Sequence, residues 1–463
     1  MIPRQYPQNQ KGVLPVTITV DSEACLTGAS ETLKGIIRQK LTIINPKYQA
    51  ARRYSRWIGK KLKPELHFFH DRDDRLYFPR GFVNQAINIC EQVTGSRPAI
   101  IDNRRRLDEI RLSFHGTLRP YQQKAVEAVI NHSFGVLEAG TGSGKTVMAL
   151  KIIAERRQPT LIIVHNKELL HQWRERIAQF LDLEAGQAGD GKQHIMPVTV
   201  AIVNTARKLL DILPSQFGQI IVDECHRVPA NLFTDVVSSF DSYFMLGLSA
   251  TAYRREDGMT ALIYTYMGDM VHTVNPRVLA ESGAVVRPVF VQKPTEFKFI
   301  FRGDYAKLIK SLAGNDLRNS QIAEDVAEIV IAGHQGTVLI VSDRIAHCQA
   351  IRSKLEERGI ESALLTGNVQ AAERTRIVEE VRKGTIRVLI STLQLIGEGF
   401  DCPGLNTLVL STPIKFEGRL LQVAGRIMRP STCKKAQIID YMDIHVPLLR
   451  RSAAARRRIF DRW

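Results

Sequence analysis

Cysteine is scarce and scattered: six residues, at 25, 90, 225, 348, 402 and 433, with no Cys-x-x-Cys pair among them. That spacing suggests neither a disulfide framework nor a cysteine-built zinc site, and it suits a reducing compartment. Long apolar runs are missing too; none approaches the ~20 residues a membrane-spanning helix needs. The opening Met1-Ile-Pro-Arg-Gln-Tyr-Pro lacks the apolar core of an export signal. Acidic residues are outnumbered, 47 against 64 Lys and Arg, for a formal net charge of +17. The composition is otherwise ordinary for a globular chain, 44% hydrophobic and 24% charged. A length of 463 residues is enough for about three domains.

The positive charge is unevenly placed. Residues 1–117 carry 20 Lys and Arg against 11 Asp and Glu. Between Lys34 and Lys63 stand ten cations (Lys34, Arg38, Lys40, Lys47, Arg52, Arg53, Arg56, Lys60, Lys61, Lys63) and no acidic residue, with Tyr48, Tyr54 and Trp57 interleaved. Cations release counterions from phosphates and aromatic rings stack on exposed bases, so this head reads as a nucleic-acid anchor. A plain solvated face would mix both signs. The candidate contacts are Lys47, Arg52, Arg53, Arg56, Trp57, Lys60 and Lys61. Removing residues 1–112 is expected to leave a folded remainder. The last stretch, Arg450–Trp463, holds six arginines and one Asp; it reads as a basic helix or as a further phosphate contact.

The rest has an α/β rhythm. Near-continuous apolar runs at Val136-Leu137, Leu161–Val164, Val198–Val203, Ile220–Val222 and Phe244–Leu246 alternate with helical patterns such as Lys145–Arg156 and Lys167–Phe180. The rhythm returns at Val338–Val341, Ala363–Leu365, Val388–Ile390, Leu408–Leu410 and Ile438-Ile439, with helices expected over His347–Arg358, Ala371–Lys383 and Arg419–Met428. Such strands are buried on both faces of parallel sheets. Residues 280–320 are less regular, with Tyr305–Leu312 the one expected helix.

Within this frame lies a phosphate-binding turn. Ala139, Gly140, Thr141, Gly142, Ser143, Gly144, Lys145 and Thr146 follow a strand and open a helix. Glycines let backbone N–H groups close around phosphates, and the helix N-terminus adds positive potential. Lys145 is expected on the β/γ-phosphates and the Thr146 hydroxyl on Mg²⁺; Ala139 stands where the general pattern has Gly. Asp223 and Glu224 end an apolar strand, the place where a carboxylate faces the ligand crevice of an open sheet. Asp223 suits a hydrated Mg²⁺ and Glu224 suits activation of the attacking water. His226 is placed to couple this pair to other segments, and Cys225 reads as packing. Arg426 and Arg429 are three apart, as on one helical face, with Gln422 a turn earlier. An always-charged planar fork suits a γ-phosphate in transfer, so Glu224, Lys145, Arg426, Arg429 and Gln422 form the candidate catalytic set on ATP and Mg²⁺.

Six ordered segments carry a family resemblance across residues 115–445. The chain resembles superfamily 2 helicases and translocases of the DECH type, and within them the XPB-type group and phage UvsW-like branch-migration enzymes. Leu118-Arg-Pro-Tyr-Gln122 resembles the adenine-reading segment, which implies Gln122 on the base with Arg119 and Tyr121 near it. Asp223–His226 resembles the DExH box, and Ser249-Ala-Thr251 the coupling segment, which gives coupling roles to His226, Ser249 and Thr251. Thr392–Asp401 resembles the segment that touches both DNA and nucleotide, with Gly399 and Asp401 on ATP and Thr392 on DNA; Thr205 joins it as a DNA candidate. Gln422–Arg429 resembles the arginine-finger segment. Arg255-Glu256-Asp257 resembles an XPB-type strand-separating triplet, with Arg255 on DNA.

The resemblance implies two tandem RecA-like parallel-sheet domains preceded by a small basic α+β domain. The expected bounds are 1–112 for the DNA-binding head and 113–285 for the first RecA-like domain. The second spans 286–463, with a thumb-like insertion near 296–320 and a basic tail. It also implies an ATP-dependent DNA helicase or translocase on forked, branched or single-strand-junction DNA in repair, recombination or replication, moving 3′→5′. A monomer in bacterial or phage-infected cytoplasm, away from membranes, is the expected state. The motor of a restriction or antiphage system, an RNA helicase, and a binding scaffold with a relic ATP site are the alternatives, the last opposed by the intact Lys145, Glu224, Arg426 and Arg429.

Overall fold

The computed structural model describes residues 15–53, 57, 59, 62–226, 230–250, 259–333, 336–397, 404–430 and 435–462, without the side chains of 50, 53, 230, 231, 371 and 397. The expected contacts Arg56, Lys60, Lys61, Thr251, Arg255, Gly399 and Asp401, the triplet residues Glu256 and Asp257, and the side chain of Arg53 therefore lie outside the described residues. By compactness the chain forms two units. One comprises residues 1–116, 125–137 and 149–272; the other comprises 117–124, 138–148 and 273–463.

The first unit carries two large sheets and a two-stranded pair, Thr42–Ile44 with Glu65–His67. Its core sheet runs Lys192–His194, Gly186–Gly189, Val198–Ile202, Thr160–Val164, Gln219–Val222, Phe244–Ser249, Phe134–Glu138, Met270–Thr273 in spatial order. The strands from Gly186–Gly189 to Phe244–Ser249 pair parallel. Thr160–Val164 and Gln219–Val222 are buried along their whole length, as their unbroken apolar character demands. Gly186–Gly189, Lys192–His194 and Met270–Thr273 escape a sequence reading because two are short and polar or glycine-rich and lie toward an edge.

The head is a small α+β domain. Strands His70–Arg72, Arg75–Pro79, Glu23–Thr27, Thr17–Val20 and Ala99–Asp102 form its sheet, antiparallel except for the last pair. Helices Glu31–Lys40 and Val83–Thr94 bury Leu33, Ile37, Ala86 and Cys90 in its core. Part of the basic run finds counter-charges that are distant in sequence. Lys34 is buried against Asp74 and Glu31, and Arg38 pairs with Glu31 at 3.0 Å and Asp71 at 2.7 Å. Those two cations are thereby paired within the head itself.

The head is also bolted to the neighbouring sheet. Arg80, 2% exposed, donates to the carbonyls of Ser242 at 2.8 Å and Asp21 at 3.3 Å. Burial pushes its guanidinium down to about 9, still charged at neutral pH. Gln85 donates to Asp269 at 3.0 Å, Arg105 pairs with Asp241, and Arg104 and Arg106 lie 4.4 and 3.8 Å from the Tyr243 ring centroid. Phe134 packs against the head core. Cutting away residues 1–112 would uncover these groups, because the head and this sheet share buried contacts.

The second unit holds a wholly parallel sheet in the order Val289–Thr295, Gln437–Asp443, Leu405–Leu410, Thr337–Ser342, Val388–Thr392, Ala363–Leu365. Pro294 is tolerated because its strand lies at the edge. Within 280–320 the helix Tyr305–Ala313 forms as expected, capped by Asp304 on Lys307 N. The longer Asp316–Ile331 was hidden because Arg318, Asn319 and Asp325 interrupt its buried stripe. Those polar groups find partners on neighbouring elements: Arg318 donates to Asp443 at 2.8 Å and to the Ser411 carbonyl at 2.7 Å, and Tyr441 donates to Asp325 at 2.7 Å. The basic tail is a packed helix, Pro447–Phe460. Arg456 is buried on Asp440 at 2.9 Å and Phe460 stacks on Phe290.

His347 is expected to make this unit acid-sensitive. Its ring nitrogens pair with Ser342 Oγ and Asn319 Oδ1, each at 2.9 Å, and burial, with Arg318 adding to it, depresses its pKa from 6.5 to about 3. Below pH 6.5 the unfolded chain takes up a proton that the folded chain refuses, so stability falls with pH down to about 3. Acidification from pH 6.5 to 5 is expected to cost about 2 kcal/mol through this group. Urea midpoints at pH 7 and pH 5 should diverge by less in His347→Gln than in the parent; an equal divergence would remove His347 as the cause.

Candidate active site

In the first unit the strand Gln219–Val222 delivers Asp223 at its C-terminal end. The chain then turns through Glu224 with φ 46°, a left-handed conformation that costs a non-glycine residue about 1–2 kcal/mol. Asp223 is 5% exposed. Its Oδ2 accepts from Trp173 Nε1 at 2.8 Å and its Oδ1 from Glu224 N at 2.9 Å. The Cys225 side chain is buried in the core, as packing requires. His226 Nδ1 lies 3.4 Å from a Glu224 carboxylate oxygen and 2.9 Å from Ser249 Oγ. One imidazole thus touches both Glu224 and the end of the strand Phe244–Ser249.

In the second unit the phosphate turn precedes the helix Lys145–Arg156. Gly142 and Gly144 have φ +85° and +79°, which only glycine adopts cheaply. Lys145 Nζ donates to the Ala139 carbonyl at 3.0 Å, across its own turn. The Ser143 carbonyl accepts from Tyr121 OH and Gln122 Nε2, both at 2.9 Å. Gln122 Oε1 accepts from Arg119 N at 2.9 Å, and the Arg119 guanidinium donates to the Ser282 carbonyl at 2.8 Å. Each end of the Gln122 amide thus makes one bond to the protein, and its Nε2 braces the turn.

The helix Glu417–Ile427 meets this turn. A Cβ on Gly425 would stand 2.6 Å from Thr141 Cγ2, so only a residue without a side chain admits this approach. Arg426 is the next residue and Gln422 lies one turn earlier. Gln422 is 6% exposed, and its amide oxygen meets no hydrogen-bond partner among the described residues. Arg429 lies beyond the helix, after the C-cap Met428. Arg426 and Arg429 do not share a helical face as their spacing suggested, because the helix ends between them.

The remaining candidates are dispersed. Lys47 and Arg52 are exposed on the helix Pro46–Arg53, and Trp57 is 90% exposed. Thr205 lies in the helix Val203–Lys208, and Thr392 ends the strand Val388–Thr392, both half-buried. Sequence reasoning missed Trp173: at the second position of the stripe Leu170, Trp173, Ile177, Leu181 it looks like core, and only its indole N–H tells otherwise.

Among the described residues no group of three or more His, Cys, Asp and Glu could hold a metal. Mg²⁺ needs no such cage, since it keeps water and leans on one or two carboxylates plus substrate phosphates. Asp223 fits that role, because both its oxygens already accept N–H bonds and suit a hydrated ion. The glycine turn fits a phosphate chain.

Known proteins resolve what this arrangement belongs to. The type III restriction enzyme res subunit family matches residues 115–254, and the helicase conserved C-terminal domain matches residues 321–431. Together these matches cover more than half of the chain. It belongs to the superfamily 2 helicases. The DNA 3′-5′ translocase XPB2 of Sulfurisphaera tokodaii is 27% identical over 407 residues, 80% of this chain and 89% of that protein. The DNA 3′-5′ helicase XPB of Kineococcus radiotolerans is 26% identical over 326 residues, 68% of this chain and 57% of its own length. Saccharomyces cerevisiae Dbp5 bound to RNA and ADP BeF3 shares the fold, with TM-score 0.53 and 16% identity over 74% of this chain and 88% of that one. This superfamily 2 helicase is accordingly an ATP-hydrolysing enzyme. No helix among its described residues is long and apolar enough to cross a membrane.

Proposed function

We propose that this superfamily 2 helicase hydrolyses ATP to translocate 3′→5′ on DNA and remodel forked or branched duplexes in repair, recombination or replication. The observation that carries the reading is the approach of Gly425 to Thr141, which seats the Gln422–Arg429 segment against the phosphate turn. The named DNA activities of the XPB relatives support the choice of DNA.

In this reading the turn from Ala139 to Thr146 binds the phosphates, with Lys145 on the β/γ-phosphates. Thr146 and Asp223 hold Mg²⁺, which would neutralise developing phosphate charge. Glu224 takes the proton of the attacking water, while Arg426 and Arg429, aided by Gln422, stabilise the departing charge. Arg119, Gln122, Gly399 and Asp401 complete the nucleotide contacts. The Glu224–His226–Ser249 contact chain, extended to Thr251, passes the nucleotide state to the DNA contacts Thr205, Thr392 and Arg255, and the triplet 255–257 parts the strands. The functional domains are 1–112, 113–285 and 286–463, in a monomer working in the cytoplasm.

The basic head anchors the enzyme chiefly on phosphates. Replacing Arg52, Arg53 and Arg56 by Ala should lower the slope of log affinity against log salt by about one unit for each phosphate no longer bound. Trp57→Ala should weaken single-strand binding by about 1–3 kcal/mol if the exposed indole stacks on a base. Fluorescence titrations on forked DNA at several salt concentrations check both. An unchanged slope and affinity would place this stretch outside the DNA interface.

A second reading has one observation in its favour, the match of residues 115–254 to a restriction-enzyme subunit family: a motor that pumps duplex DNA without unwinding it. One preparation tested with ATP on forks, Holliday junctions, a blunt duplex with a bound third strand, and RNA duplex separates the readings. Branch or fork remodelling supports the proposal. Third-strand displacement without unwinding favours the pump, and activity confined to RNA overturns both.

A further inference from the structure

We infer that Trp173 is a positioning residue for the metal-holding carboxylate, an inference that rests on the reading of Asp223 given above. Trp173 belongs to the helix Lys167–Leu181, which starts at the side-chain cap of Asn166 on Leu169 N. It is 1% exposed, so its single N–H has no access to water, and it donates to Asp223 Oδ2 at 2.8 Å. A donor to a charged acceptor makes a stronger bond than a neutral pair does, and a buried indole seeks such a partner. Core packing alone would be served by any large apolar ring. It does not require the N–H to end on this carboxylate.

The geometry gives Trp173 a defined task. Glu224 N holds Oδ1 at 2.9 Å and Trp173 holds Oδ2, so the plane of the carboxylate is fixed from both sides. The first clamp is backbone and survives any side-chain change; the second is a side chain that substitution removes. The indole also ties this plane to a helix that follows the strand Thr160–Val164, the parallel neighbour of Gln219–Val222. Without the indole N–H the carboxylate loses its donor on Oδ2, and a hydrated ion on it loses part of its fixed direction. The loss should therefore fall on the metal requirement and leave the phosphate turn untouched.

The test uses the full chain. Trp173→Phe keeps a ring and removes the donor. It should raise the Mg²⁺ concentration for half-maximal ATP turnover by about 10-fold or more, the usual cost of losing a partner that orients a metal ligand. Affinity for ATP measured without Mg²⁺ should stay near the parent value. A second measurement needs no folded variant: in the parent labelled with ¹⁵N-tryptophan, one indole N–H resonance, absent from the Trp173→Phe spectrum when that variant folds and otherwise picked out as the most exchange-protected, should shift with Mg²⁺ plus a non-hydrolysable ATP analogue and stay still with the analogue alone. Asp223→Asn is the control. If it leaves the Mg²⁺ requirement unaltered, the reading of Asp223 fails and this inference falls with it. If it raises the requirement while the protected indole resonance ignores Mg²⁺, Trp173 is packing and the inference alone is overturned.

Discussion

Arg426→Ala is expected to lower the rate of ATP turnover by about 10³–10⁵-fold, the range an arginine that meets a transferring phosphate contributes. Nucleotide affinity should change far less, because the charge it stabilises appears only in the transition state. The structural basis is local. Arg426 follows Gly425, whose missing side chain lets the helix Glu417–Ile427 close on Thr141 of the phosphate turn. Arg429→Ala should act in the same direction, although Arg429 lies past the end of that helix. Single-turnover hydrolysis beside binding of a fluorescent ATP analogue separates the two effects. A variant that loses affinity and turnover in equal measure would show a ground-state contact and remove Arg426 from the transition state.

Glu224→Gln should reduce turnover by about 10²–10⁴-fold, the usual contribution of a positioned general base. The amide is nearly the same size and keeps a polar atom toward His226, now 3.4 Å from the carboxylate. What it loses is the ability to accept a proton from water. ATP binding should persist, because the phosphate turn and Asp223 are untouched, and the variant should accumulate as an ATP-bound form on DNA. Lys145→Ala makes the contrast: it removes a cation from the turn itself and should lose binding as well as turnover. Near-normal phosphate release by Glu224→Gln would end its assignment as the base.

How far the sequence carried the account depends on whether the deciding interactions were local. The phosphate turn, the strand before it and the helix from Lys145 were legible because glycine spacing and an apolar run are short-range signals. Thr160–Val164 and Gln219–Val222 were legible because a strand buried on both faces has few polar residues to confuse the pattern. Asp316–Ile331 was not, since its buried face includes Arg318 and Asp325, whose partners come from other strands. The run from Lys34 misled in part for the same reason: Asp71 and Asp74 neutralise Arg38 and Lys34 only once the head has folded. Helical spacing placed Arg426 and Arg429 on one face, but it could not say where the helix would end. Trp173 was invisible because a core stripe and an indole N–H aimed at a carboxylate share one sequence pattern.

The central claim is that this enzyme couples ATP hydrolysis to DNA, and steady-state phosphate release with and without forked DNA tests it most directly, with Glu224→Gln as the blank. The account predicts slow release from the enzyme alone, a clear rise in kcat when forked DNA is added, and background release from Glu224→Gln in both cases. Release that ignores DNA, or that survives in Glu224→Gln, would contradict it.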